Sequence, residues 1–509
     1  MHSDVAPSDQ RRRSWGIESW AILTVLSIWT GSRAAAALAG VRFDSAMFAN
    51  AMQLADPVWL KREPLRTMWY QHSQPPGFNA LSSLLLATGR ERVAAAILFH
   101  LLGATLVVGV LLLSRRLGLT TRWSVVLASI VCLRPDVLLY EHWYFYTFIE
   151  AWILVAVLAV LATIGRSAPI IRLAPAALGI ASLAAMHALF GVVWVAGLGA
   201  LLSWRFGWRR TMALVGPAML LLGAITAKNW VLFDQAAISS WQGTNLSRIT
   251  TYQLSEAERR RLVRDRSLTE SALLSSWSKN WDDPLLDQPA GETGPSATVD
   301  VLDQTRKPTG GELNYNNRRY LPSYENDLDD ALWVIRHRPT VWLHAVWQAW
   351  GVYFKPADDN LRMIDNIDSI AAYRSIWRVP LAEPYLSSGQ FDHDWIGDSW
   401  RGVQFSEIAL FALAASAFPL RRRRRARNNQ SMSDAEGLCL TFLTWAVVAT
   451  PVLANAVEIG ENNRFRFALV PITAIGAALA LRELALWYSL TRDRRRRHDS
   501  STSSTGTVG

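Results

Sequence analysis

Apolar runs of about 20 residues, repeatedly bounded by short arginine blocks, set the strongest limit on what this chain can fold into. A helix rising about 1.5 Å per residue needs roughly 20 residues to cross about 30 Å of hydrocarbon. Trp15–Ala39, Val93–Leu113, Met212–Leu232, Leu438–Val457 and Phe467–Leu490 all reach that length. Half of the 509 residues are hydrophobic and only 18% are charged, too few for an average soluble enzyme. The formal charge of +10 would suggest a nucleic-acid partner if it were spread over a surface. Much of it instead sits in Arg11–Arg13, Arg115–Arg116, Arg209–Arg210, Arg421–Arg425 and Arg494–Arg497, beside the apolar runs. That is the positive-inside pattern, so membrane lipids and no nucleic acid are expected as partners. Cys132 and Cys439 fall inside apolar runs and read as core residues, without a disulfide framework or a CxxC metal motif.

The expected fold class is an all-α integral membrane protein with about ten transmembrane helices and a mixed extracytoplasmic domain. Trp15–Ala39 reads as a retained signal anchor, since it is too long for a typical cleaved leader. Shorter spans are expected around 123–133, 148–164 and 405–420. Parity of the basic ends splits 173–202 into two antiparallel pieces turning near His187, with a single tilted helix as the rival. Phe78–Thr88 is too short to cross, and Val341–Phe354 is short and Trp-rich, an interfacial helix. The chain then divides into a cytoplasmic N-terminus (1–14), a transmembrane core (15–232) with a first external loop (40–92), and a polar extracytoplasmic domain (233–403). C-terminal transmembrane helices (404–490) and a basic, disordered tail (491–509) follow. Both termini are expected in the cytoplasm, with the chain in the plasma membrane.

Ionisable residues at a membrane boundary are costly unless solvated or paired, so their clustering carries information. The external loops hold Arg42-Phe43-Asp44 after the first span and Tyr70-Gln71-His72-Ser73-Gln74-Pro75-Pro76-Gly77 some thirty residues later. They also hold Arg134-Pro135-Asp136, Tyr140-Glu141-His142-Trp143, and Glu458 to Phe467 with its Arg464-Phe465-Arg466 core and Pro471 beyond. All lie on one expected face and so are able to converge.

An Asp after the first span, a Pro-Pro motif opening a short apolar helix and an Arg-aromatic pair before a Pro resemble the polytopic GT-C glycosyltransferases. The arrangement is most similar to the protein O-mannosyltransferase and aminoarabinose-transferase branch. The specific motifs amount to about thirty residues, and they depart from the family pattern. Asp44-Ser45 stands where Asp-Glu is common, and Gln74-Pro75-Pro76 where His-Pro-Pro is common, leaving His72 as a substitute. The resemblance implies a polyprenyl-phosphate sugar donor and a glycan, lipid or protein acceptor.

The chemistry of such a transfer suits these residues. One carboxylate takes the proton from the attacking hydroxyl, and Asp44 is the candidate base, with Glu141 and Asp136 as second acids. The leaving phosphate needs positive charge rather than a general acid. Arg464, Arg466 and, more weakly, Lys228 are candidates to hold it. His72, Gln74 and His142 are further site candidates. No cofactor is assigned, and a divalent cation stays open: Asp44 with Glu141 would suit one or act without it. A transporter or lipid flippase is the rival, though it would be expected to place ionisable groups near the midplane.

Overall fold

A computed structural model describes residues 7–165, 168–274, 295–358, 363–378 and 399–503. Its described residues are helical with no strand, and only two isolated β-bridges, Asp44 to Trp143 and Arg306 to Leu313, occur among them. The expected mixed character of 233–403 is therefore corrected. Its described parts form helices such as Gln242–Arg248, Leu321–His337 and Pro339–Tyr353, joined by turns. Pro, Gly and Asn interrupt that stretch too often for an alternating strand pattern to form.

Among the described residues five helices are long and apolar enough to cross a membrane: Glu18–Leu38, Glu91–Arg116, Trp208–Phe233, Asp434–Val457 and Asn462–Arg492. A sixth span results if Thr121–Leu133 and Pro135–Glu141 count as one bent at 61°. The bend has a local cause. Pro135 starts the second helix and forces Arg134 into an extended conformation. Ten spans are not shown, because Tyr146–Leu161, Ile170–Met186 and Val192–Phe206 each have fewer than 18 residues, and the apolar part of Phe405–Arg427 gives way to arginines after Leu420. Tyr146–Leu161 is apolar on all sides and sits inside the bundle, against Glu91–Arg116, Ala174–Met186 and Asn462–Ser503.

The 173–202 stretch is two helices, Ala174–Met186 and Val192–Phe206, with the chain turning at His187–Gly191. Leu173, at the start of the first, and Leu202 and Phe206, at the end of the second, line one crevice. The two helices are thus antiparallel. The Phe78–Thr88 segment is the short helix Gly77–Leu86, and Val341–Phe354 lies in the 15-residue helix Pro339–Tyr353. The last helix runs on to Ser503, so the tail expected to be disordered is helical that far. Residues 504–509 lie outside the described residues.

The arginine-bearing helix ends gather on one face. Arg115 pairs with Glu18 at 2.9 Å, and Arg421 donates to the Leu117 carbonyl at 2.5 Å. Part of the five-arginine block is consumed internally, with Arg421 and Arg425 on Glu436 and Arg424 on Glu483. On the opposite face the first loop, the 135–147 turn, the described parts of 233–358 and the last helix start pack together. The first helix ends there in a Schellman turn. Val41 N–H donates to Ala36 O (3.0 Å), Gly40 N–H donates to Ala37 O (3.2 Å), and Gly40 takes φ +105°. Asp56 caps the Pro57–Arg62 helix and also accepts from Thr309 N and Oγ1, both at 2.9 Å. Lys307 donates to Ala51 O at 2.5 Å.

Candidate active site

Asp44 is held by backbone pairing. Its N–H donates to His142 O (2.7 Å), and Tyr144 N–H donates to its carbonyl (2.9 Å). The carboxylate Oδ1 accepts from Ala46 N–H at 2.8 Å. Among the described residues Asp44 has no ion-pair partner, unlike the other two candidate acids. Burial pushes its pKa up and the Asp365 carboxylate adds to this, while the Ala46 N–H and Arg92 oppose it.

Asp136 is bound in bidentate fashion by Arg134, at 2.9 and 2.7 Å. Arg134 continues to Glu407 (2.7 Å), and Glu407 to Arg466 (2.6 Å), forming one buried chain of charges. Glu141 is fully buried between Arg33 (2.5 Å), His100 (2.9 Å) and Trp29 Nε1 (3.2 Å), so its oxygens are committed. Losing one partner of such a pair typically costs about 3–5 kcal/mol. Gly103 packs on this carboxylate so closely that a Cβ there would sit 2.4 Å from it. The expected second-acid and cation-sharing roles of Glu141 therefore have no free oxygen to act through. Among the described residues no group of three or more His, Cys, Asp or Glu is placed to hold a metal ion.

A cavity of 740 Å³ opens beside these loops. Trp143, Phe145, Tyr146 and Trp241 give it aromatic walls, and Gln53, Gln74, Asn245, Arg248, Glu458, Glu461 and Arg464 give it polar groups. Val192, Val193 and Val457 add an apolar part to its lining that is exposed helix surface, with Val193 68% exposed. It therefore has a polar, aromatic end and an exposed apolar side.

The two candidate arginines separate cleanly. Residues two apart on a helix point about 200° from each other. Arg464 lines the cavity, braced by Glu461 (2.7 Å) and the Tyr146 hydroxyl (3.0 Å) and stacked over Phe145 at 4.8 Å. Arg466 faces the other way, donating to Tyr353 O, Lys355 O and Gln404 Oε1 and pairing with Glu407. Gly460, at φ +140°, and Asn462, which accepts from Gly460 N–H at 2.9 Å, shape the turn that presents Arg464.

The other candidates are structural in their contacts. His72 Nε2–H donates to Asn316 O (2.9 Å) while Nδ1 accepts from Ser240 Oγ (2.8 Å), a neutral ring clamping the first loop to the polar region. His142 Nδ1–H donates to Leu138 O (2.8 Å), and Lys228 donates to Gln71 O (2.5 Å). Of these weaker candidates only Gln74 lines the cavity. Arg248 escaped the sequence reading, while Glu458, Glu461 and Trp143 entered it only as members of their loop motifs, with no role assigned. The Trp143 indole N–H is buried in the cavity wall without a hydrogen-bond partner among the described residues.

The clamp makes a pH dependence. Burial lowers the His72 pKa to about 3, assisted by Lys228 and opposed by the Asn316 hydrogen bond. A depressed folded pKa means stability that is complete above the ordinary value of 6.5 and is lost as pH falls toward 3. The slope over that window is about 1.4 kcal/mol per pH unit. Thermal unfolding in detergent should show this loss between pH 6.5 and 4.5, and His72→Gln should flatten it. Equal slopes in the two proteins would place the acid sensitivity elsewhere.

Compared with known proteins, no protein-family model matches the chain, and no curated protein matches it significantly.

Proposed function

We propose that this chain is a membrane glycosyltransferase that moves a sugar from a polyprenyl-phosphate donor to an acceptor on the extracytoplasmic face. One observation carries the reading. A rigidly braced guanidinium, Arg464, stands in a 740 Å³ cavity that joins an aromatic, hydrogen-bonding end to an exposed apolar wall. A donor with a long hydrocarbon tail, a phosphate and a sugar has that same succession of properties. Arg464 neutralises the leaving phosphate, and aromatic faces take the sugar. Asp44, paired through its backbone to Trp143, is the proposed base. Its unpaired, half-buried carboxylate retains proton affinity that an ion pair would remove.

In this proposal the short apolar helices complete a bundle of about ten crossings, both termini are cytoplasmic, and the transfer is inverting. The transporter or flippase reading draws on a different observation, the Arg33–Glu141–His100 cluster buried among span helices. Mass spectrometry of polyprenyl-phosphate sugars and envelope glycans after deletion separates the two. A transferase leaves one donor accumulated and one linkage missing. Unchanged donor pools and intact linkages would rule the enzyme reading out.

A further inference from the structure

The arginine-bearing face holds a second cavity, of 300 Å³, where three helix ends meet. Val192–Phe206 contributes Arg205, Phe405–Arg427 contributes Arg422 and Arg425, and the cap of Asp434–Val457 contributes Ser433. Asp434 is the one carboxylate in its lining, so positive charge is in surplus. The Arg205 guanidinium carbon sits over Phe418, 4.5 Å from the ring centroid, and Arg425 is braced by Glu436 (2.8 Å) and Ser431 O (2.9 Å). Arg422 is exposed and has no ion pair among the described residues. The amino end of a 24-residue helix adds partial positive charge.

Depth decides what kind of anion fits. Trp204 is 83% exposed and Trp208 66% exposed, flanking Arg205 on the outer surface of the bundle. Indoles so placed mark the headgroup level of a bilayer. Phe206 and Met432 give the cavity apolar sides beside its guanidiniums.

We propose that this cavity binds the phosphodiester headgroup of an anionic phospholipid, with the acyl chains lying along the outer helix surface. A phosphatidylcholine headgroup brings a quaternary ammonium that the same arginines repel. The site lies on the opposite face from the cavity holding Arg464 and does not depend on the transferase reading.

The test uses the full chain in neutral detergent, titrated with short-chain phosphatidylglycerol, phosphatidylcholine or inorganic phosphate and followed by native mass spectrometry. Phosphatidylglycerol should bind at least about ten-fold more tightly than phosphatidylcholine. Arg422→Gln, which breaks no ion pair, should weaken it about five-fold, with Arg422→Glu weaker still and the melting temperature unchanged. Arg423→Gln, on the exposed neighbour outside the cavity, should have no such effect. Equal losses for Arg422→Gln and Arg423→Gln would mean diffuse surface attraction and overturn the site. Displacement of the lipid by equimolar inorganic phosphate would overturn the lipid assignment in favour of a free-anion site.

Discussion

Asp44→Asn should slow sugar transfer at least ~100-fold, the low end for removing a general base, while the protein reaches normal membrane levels. The amide keeps the size of the side chain and its oxygen still accepts from Ala46 N–H, so the loop geometry survives. The backbone pairing to His142 and Tyr144 does not involve the side chain at all. Donor binding should therefore persist and only the chemical step should fail. Asp44→Glu should recover little, because moving the carboxylate by roughly 1 Å matters on the scale of a proton transfer. Glu458→Gln and Glu461→Gln are the informative comparisons, since both acids line the cavity and Asp44 does not. If Asp44→Asn transfers at a near-normal rate while one of these collapses, the base belongs to the last loop.

Glu141→Gln is a poor control for that experiment, and the reason shows what a sequence conceals. Its partner Arg33 lies 108 residues away, and Arg134, bound to Asp136, also reaches Glu407, 273 residues away. No local pattern announces such pairs, so both acids look like loop carboxylates in the sequence. His72 is similar, with Ser240 and Asn316 as its partners. The long helices were legible because hydropathy acts within one segment, and so was the turn at His187, from the parity of basic ends. Length alone shows only five or six spans among the described residues, because a helix such as Tyr146–Leu161 is as apolar as a span but shorter than 18 residues. The spacing of Arg464 and Arg466 did contain their answer. Two helical residues about 200° apart cannot both face one ligand.

That opposition yields two different failures for two similar substitutions. Arg464→Ala removes a guanidinium from the cavity and leaves Glu461, whose side chain is 27% exposed, to water. The fold should tolerate this. Donor use should fall ten- to a hundred-fold, the effect of losing a charge-assisted contact of ~1.5–3 kcal/mol. Arg464→Lys should lie between, since an ammonium keeps the charge and loses the planar fork. Arg466→Ala instead leaves the buried Asp136–Arg134–Glu407 chain with one uncompensated negative charge, so it should destabilise the protein by about 3–5 kcal/mol and lower its yield. Measuring rate at limiting donor alongside melting temperature separates the two. Should Arg464→Ala melt early and Arg466→Ala fold normally with slow transfer, the arginines have been assigned the wrong way round. Should both variants transfer at the wild-type rate, the donor phosphate is not held by this helix, and the cavity serves some other ligand.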